Sequence, residues 1–115
     1  MTRADALRDL LAAVEADDID TLPDNCFRHA FAGMKTAGIG FNFSEAHEGS
    51  VDAAIAFTEA VLPGWFPGMS QNIHHGYWFA WVQDLPGHHF SAVEHTPARA
   101  LLIAALRALI AQEDR

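Results

Sequence analysis

Apolar residues recur along this chain first with a helical period, then with a strand period, then with a helical one again. Over residues 2–16, Leu7, Leu10, Leu11 and Val14 fall at i, i+3, i+4 and i+7, while Arg3, Asp5, Arg8 and Asp9 take the other side. Thr2 and Asp5 stand at the spacing of a capping box, so an amphipathic helix is predicted to start there. Thr21-Leu22-Pro23-Asp24 is a second start signal, for a helix that carries Phe27, Phe31 and Met34 inward and ends at Gly38 and Gly40. Residues 39–47 read as a loop with strand-like character at Phe41-Asn42-Phe43. Ser50 caps a third helix over 51–61, with Val51, Ala54, Ile55 and Leu62 on one side, and Pro63-Gly64 stops it.

At Trp65 the period changes. Residues 65–73 read as a strand that Pro67-Gly68 marks as bulged or as an edge. Residues 77–83 are apolar on both faces, the pattern of a strand sandwiched between layers. Leu85-Pro86-Gly87 supplies a turn, and 89–95 returns antiparallel. Pairing Gln83 with Phe90 sets Trp81 against Ala92 and Phe79 against Glu94, and puts Trp78, Val82, Val93 and His95 on the opposite face. A last helix then opens with Thr96 as cap and Pro97 in its first position, where a missing N–H costs nothing. It runs through Ala and Leu to Ala111, with Arg99 and Arg107 its only charges before Glu113, and a helix so apolar must be buried around much of its circumference. On its wheel Ile103 falls between the two arginines, so either the first helix or another protein covers it.

The predicted order is α-α-α-β-β-β-α in a single domain, residues 1–115. A small three-stranded antiparallel sheet that is apolar on both faces calls for helices on each side. The expected class is therefore α+β, with the sheet layered between helices as an α/β/α sandwich. At 115 residues the chain is long enough to bury roughly two thirds of its unfolded surface.

Three stretches carry a family resemblance. They are Ser50-Val51-Asp52-Ala53-Ala54-Ile55 leading to Leu62-Pro63-Gly64-Trp65, then Trp78-Phe79-Ala80-Trp81-Val82, then Ala92-Val93-Glu94-His95-Thr96-Pro97-Ala98-Arg99 with the Ala/Leu run to Ala108. Together with the opening segment 7–16, they resemble the small phage and prophage proteins called phage ABA sandwich domain proteins. The Thr-Pro-Ala start is the most specific part, and residues 26–47 depart from the pattern. The resemblance implies a phage origin and a sheet between helical layers. It implies no reaction, because that family has no assigned function and no catalytic motif to carry over.

Charge narrows the partners. The net charge is −8, and between Lys35 and Arg99 there is no Lys or Arg, while Glu45, Glu48, Asp52, Glu59, Asp84 and Glu94 fall in that interval. A second acidic group, Glu15, Asp17, Asp18, Asp20 and Asp24, is equally free of bases. Such a field repels phosphate backbones, arguing against direct nucleic-acid binding, and attracts a basic protein. Asp17, Asp18, Asp20, Asp24, Glu45 and Glu48 are the candidate protein-binding residues. No apolar run reaches the ~18 uncharged residues of a membrane span, and the acidic amphipathic N-terminus is not that of a signal peptide. With one cysteine, Cys26, no intramolecular disulfide can form, and a cytoplasmic location is expected.

Seven histidines invite a metal reading, with His74, His89 and His47 as the candidate ligands at one end of the sheet. No HExxH, cysteine pair, GxSxG elbow or phosphate loop accompanies them. Cys26, beside Phe27 in a first helical turn, reads as a structural cysteine. Three functional readings follow. The first is a non-enzymatic phage accessory protein with no cofactor that binds a host protein through its acids, such as an anti-CRISPR inhibitor of a defence complex. The second is a histidine-dependent metal-binding module or metalloenzyme. The third is a phage assembly component with homo-oligomer contacts around Ile103.

Overall fold

A computed structural model describes residues 1–23, 25–34 and 38–114. In chain order the elements are α1 (Arg3–Glu15), a 3-10 turn (Ile19–Thr21), α2 (Cys26–Ala30), α3 (Ile39–His47), α4 (Val51–Val61), β1 (Phe66–Asn72), β2 (Tyr77–Gln83), β3 (His89–Glu94) and α5 (Pro97–Glu113). The strands form one antiparallel sheet in the order β1-β2-β3. The α+β class, the helices-strands-helix order and the packing of helix on sheet are as the sequence predicts.

The caps act as the sequence implies. Thr2 and Asp5 form a reciprocal capping box at α1, the Ser50 hydroxyl accepts from the Ala53 N–H, and the Thr96 hydroxyl accepts from the Arg99 N–H ahead of Pro97 in the first turn of α5. Each satisfies a backbone donor that a helix N-terminus otherwise leaves open.

Two elements differ from expectation. Residues 39–47 are not a loop but α3, which places Ile39, Phe43 and Ala46–His47 at helical spacing on its inner side. The apparent alternation at Phe41-Asn42-Phe43 hides that period, and Phe41 is exposed. The second helix is correspondingly short and ends at Ala30, after which Phe31 leaves helical geometry. Phe27 and Phe31 still turn inward, where they form an edge-on cluster with Phe43 and Phe57. Ring centres are 5.0 Å apart for Phe27–Phe43, 5.8 Å for Phe43–Phe57 and 5.7 Å for Phe31–Phe57.

The β2–β3 register is one residue away from the expected pairing. Gln83 faces His89, Trp81 faces Ser91 and Phe79 faces Val93. The cause is the turn: Asp84 pairs with His88 through its N–H, and the three residues 85–87 form the loop, with Gly87 at φ 103°. An odd loop length fixes the register that the other reading missed. Pairing of β1 with β2 is unbroken, and Pro67 sits on an edge strand, where its missing N–H is tolerated.

The layering differs in one respect. α5 lies across one face of the sheet, against Ala80, Val82 and Ala92, and α1, α3 and α4 pack on α5 itself. Among the described residues no helix covers the second face, where Phe66, Tyr77, Phe79 and Val93 are exposed. The reason lies in α5. Ala98, Ala100–Leu106, Ala108 and Leu109 are all buried, so this helix is apolar nearly all round and needs cover on its far side as well. The earlier helices α1, α3 and α4 supply that cover by packing on α5. Ile103 is buried inside the chain, not at a contact with another protein, which removes it as an oligomer surface.

Candidate functional site

The acidic residues assemble around the C-terminal ends of two helices. α1 closes with the Asp17 N–H donating to the Val14 carbonyl at 3.1 Å and the Asp18 N–H to the Ala13 carbonyl at 2.9 Å, the two bonds of a Schellman motif. The left-handed position in that motif, usually glycine, is held by Asp17 at φ 56°. This costs about 1–2 kcal/mol of backbone strain, and Asp is one of the few side chains that visit the region. The strain sets the Asp17 carboxylate toward His47, whose Nε2 lies 2.8 Å from Oδ1. Arg99 Nη2 also reaches Oδ1, at 3.2 Å, and donates to the His47 backbone carbonyl at 2.9 Å. The ends of α1 and α3 are thereby tied to the first turn of α5.

Asp18 and Asp20 are exposed in the segment that follows Asp17, and Glu45 and Glu48 are exposed at the end of α3. Asp24 lies outside the described residues. The tie through Asp17 brings the two acidic segments together, and two helix C-termini, each worth roughly half a negative charge, add to the same field. Arg99 offsets one carboxylate. Arg3 and Arg8 are engaged elsewhere, with Glu113 at 3.3 Å and Asp114 at 2.8 Å. Asp17 itself is part of the scaffold, which its sequence position did not reveal. A shallow groove of about 300 Å³ runs beside this end, between Ala12, Ala13 and Ala16 of α1 and Thr21-Leu22-Pro23.

The three candidate metal ligands do not converge. His74 lies in the β1–β2 turn and His89 opens β3 at the opposite end of the sheet, roughly 20 Å away at the rise of a strand. His47 is buried against Asp17. Among the described residues, no three His, Cys, Asp or Glu side chains are grouped to hold a metal ion. His88 instead closes its own turn: its Nδ1 lies 2.8 Å from Asp84 Oδ2, and Asp84 Oδ1 accepts from the Gly87 and His88 N–H groups. Cys26 is fully buried, its thiol donating to the Ala6 carbonyl at 3.4 Å. Burial pushes that thiol up, and the Asp9 charge adds to the effect.

The feature that sequence reasoning missed is the outer face of the sheet. Its side chains are Phe66, Gly68, Ser70 and Asn72 from β1, Tyr77, Phe79, Trp81 and Gln83 from β2, and His89, Ser91 and Val93 from β3, with His95 just beyond. The Tyr77 and His95 rings lie tilted against each other with centres 4.8 Å apart, and those of Phe79 and Trp81 at 5.5 Å. The sequence signal for it is the alternation of Tyr77, Phe79 and Trp81, which a strand covered on both faces would also show. No helix among the described residues is long and apolar enough to cross a membrane. No protein-family model, no curated protein and no solved structure matches the chain.

Proposed function

We propose that the chain works without catalysis, by binding a basic protein through its acidic end. The observation that supports this reading is the tie of Asp17 to His47 and Arg99, which sets the acidic segment with Asp18 and Asp20 against the C-terminal end of α3, where Glu45 and Glu48 are also exposed. Exposed carboxylates on neighbouring segments can stand in for the phosphates of a nucleic acid. In its concrete form the protein is a phage accessory factor in the host cytoplasm that occupies the nucleic-acid site of a defence complex, as anti-CRISPR inhibitors do.

The test adds the protein to purified CRISPR effector complexes and follows DNA binding by fluorescence anisotropy. The expected result is loss of DNA binding that is relieved as salt rises, because exposed charges are screened. Combined Asp18→Lys, Asp20→Lys and Glu48→Lys substitutions should abolish the effect while leaving the circular dichroism unchanged. Asp17 is left intact in that variant, since it holds the scaffold. Inhibition indifferent to salt and to these charges would discard the reading.

A further inference from the structure

We propose that the open face of the sheet is the contact between two copies of this chain. Twelve positions form the face, from Phe66 to Asn72 on β1, Tyr77 to Gln83 on β2 and His89 to His95 on and just after β3, and none of them is Asp, Glu, Lys or Arg. The chain as a whole carries −8. Two copies therefore repel one another over most of their surface and can approach closely only where neither is charged. The face meets that condition and is its own complement: aromatic rings at the centre, with Ser70, Asn72, Gln83 and His89 as a polar surround.

Its shape also suits a second sheet. The Trp81 ring lies across Gly68, filling the space where a side chain would otherwise stand and keeping the centre low. Two such sheets stack about 10 Å apart with interleaved side chains, as in a β-sandwich. Phe66 and Val93 are each more than half exposed, and Tyr77 and Phe79 more than a third. With aromatic side chains of roughly 150–250 Å², these four residues offer roughly 300–400 Å² of apolar area per copy. The polar surround brings the face to roughly 600–800 Å² per copy, hence about 1,200–1,600 Å² for the pair, within the range of stable interfaces. A basic partner has no carboxylate to grip here, and an anionic membrane is repelled by the rest of the chain. The occupant that fits is another copy.

The dimer and the acidic end answer salt in opposite directions. Binding through the acidic end weakens as salt rises, whereas salt screens the mutual repulsion of two −8 chains and strengthens the dimer. Light scattering and sedimentation velocity over about 1–200 µM, the concentration range in which a modest interface dissociates, should give twice the 12.6 kDa chain mass, with the monomer favoured on dilution and at low salt. Val93→Lys, at an exposed position on an edge strand, should yield a monomer with unchanged circular dichroism, and Phe79→Lys should do the same. If Phe79→Lys fails to fold, Val93→Lys decides the matter, supported by acrylamide quenching of tryptophan fluorescence that rises on dilution of the wild type and not of the variant. A wild type that is monomeric throughout overturns the proposal. A dimer that folded Val93→Lys leaves intact overturns it too, as does a face that captures a different protein while the free chain stays monomeric.

Discussion

The indole of Trp81 on β2 lies across Gly68 on β1, its cross-strand partner, so closely that any Cβ at residue 68 would overlap the ring. An aromatic side chain laid over an edge glycine shields backbone that the glycine leaves bare. Gly68→Ala should therefore drive the ring off its seat and lower stability by about 1–3 kcal/mol, as overpacking does. Thermal unfolding measures the loss, and a change in tryptophan emission reports the displaced ring. An unchanged melting temperature with unchanged fluorescence would show that the ring does not rest there.

At Asp17, backbone conformation and side chain point to different substitutions. Glycine relieves the left-handed backbone but removes the oxygen that meets His47 Nε2. Asparagine tolerates the conformation and keeps an oxygen, losing only the charge toward Arg99. Alanine loses both. The expected order of stability is wild type, Asn, Gly, Ala, with Ala lower than wild type by about 1–3 kcal/mol, chiefly from an unpaired buried imidazole nitrogen. Chemical denaturation of the four proteins checks the order, and an alanine variant as stable as wild type would remove the tie as a structural element.

The parts of the fold legible in the sequence are those fixed by local chemistry. The Thr2-Asp5 box, Ser50 and Thr96-Pro97 start their helices because a side-chain oxygen or a proline at the right offset acts on its own few neighbours. What escaped depends on distant competition. The apolar pattern of β2 demands cover on both faces, but α5 demands cover all round, and nothing in either segment says which claim the earlier helices satisfy. The β2–β3 register turned on whether Asp84 belongs to the loop or pairs with His88, a difference of one residue that reassigns every cross-strand partner. For the site, the acidic clustering was visible, whereas the structural duty of Asp17 was not, because His47 is 30 residues away in sequence.

Ile103 separates the two accounts of how copies meet. It is 2 % exposed and belongs to the buried core of α5. Ile103→Ala should cost about 2–5 kcal/mol through the cavity it leaves. It should not alter the mass of the folded protein, since it takes no part in a contact between copies. A change of association state with unaltered stability would place the residue at a surface instead.

The turn between β2 and β3 has its own pH dependence. Partial desolvation raises the Asp84 carboxyl, but hydrogen bonds from the His88 side chain and from the His88 and Gly87 N–H groups, with the charge of His88, outweigh it and hold the group below the ordinary aspartate range. A carboxyl depressed in the folded state contributes stability above its unfolded pKa and loses that contribution as pH falls through the folded value. Amide exchange at Gly87 and His88 should therefore accelerate, relative to the core of β2, as pH falls from about 5 to 2, after correction for intrinsic rates. Asp84→Ala should show the faster exchange already at neutral pH. Equal protection in the variant and the wild type would mean that the carboxyl does not hold the turn.

Cys26 predicts the opposite slope at high pH. Its thiol is raised by burial first and by the Asp9 charge second, and it donates to the Ala6 carbonyl. A group raised in the folded state contributes stability in full below its unfolded pKa, about 8.5 for a thiol, and loses it as pH rises through the folded value. Folding stability should thus decline above about pH 8.5, and Cys26→Ala, which has no proton to lose, should flatten that part of the profile. Because the thiolate is the reactive form and the folded chain withholds it, iodoacetamide should label native Cys26 only at the rate of global or local opening, while the unfolded chain reacts freely. Rapid labelling of the native protein at pH 8, with the fold intact by circular dichroism, would show that the thiol is reachable and that burial does not govern it.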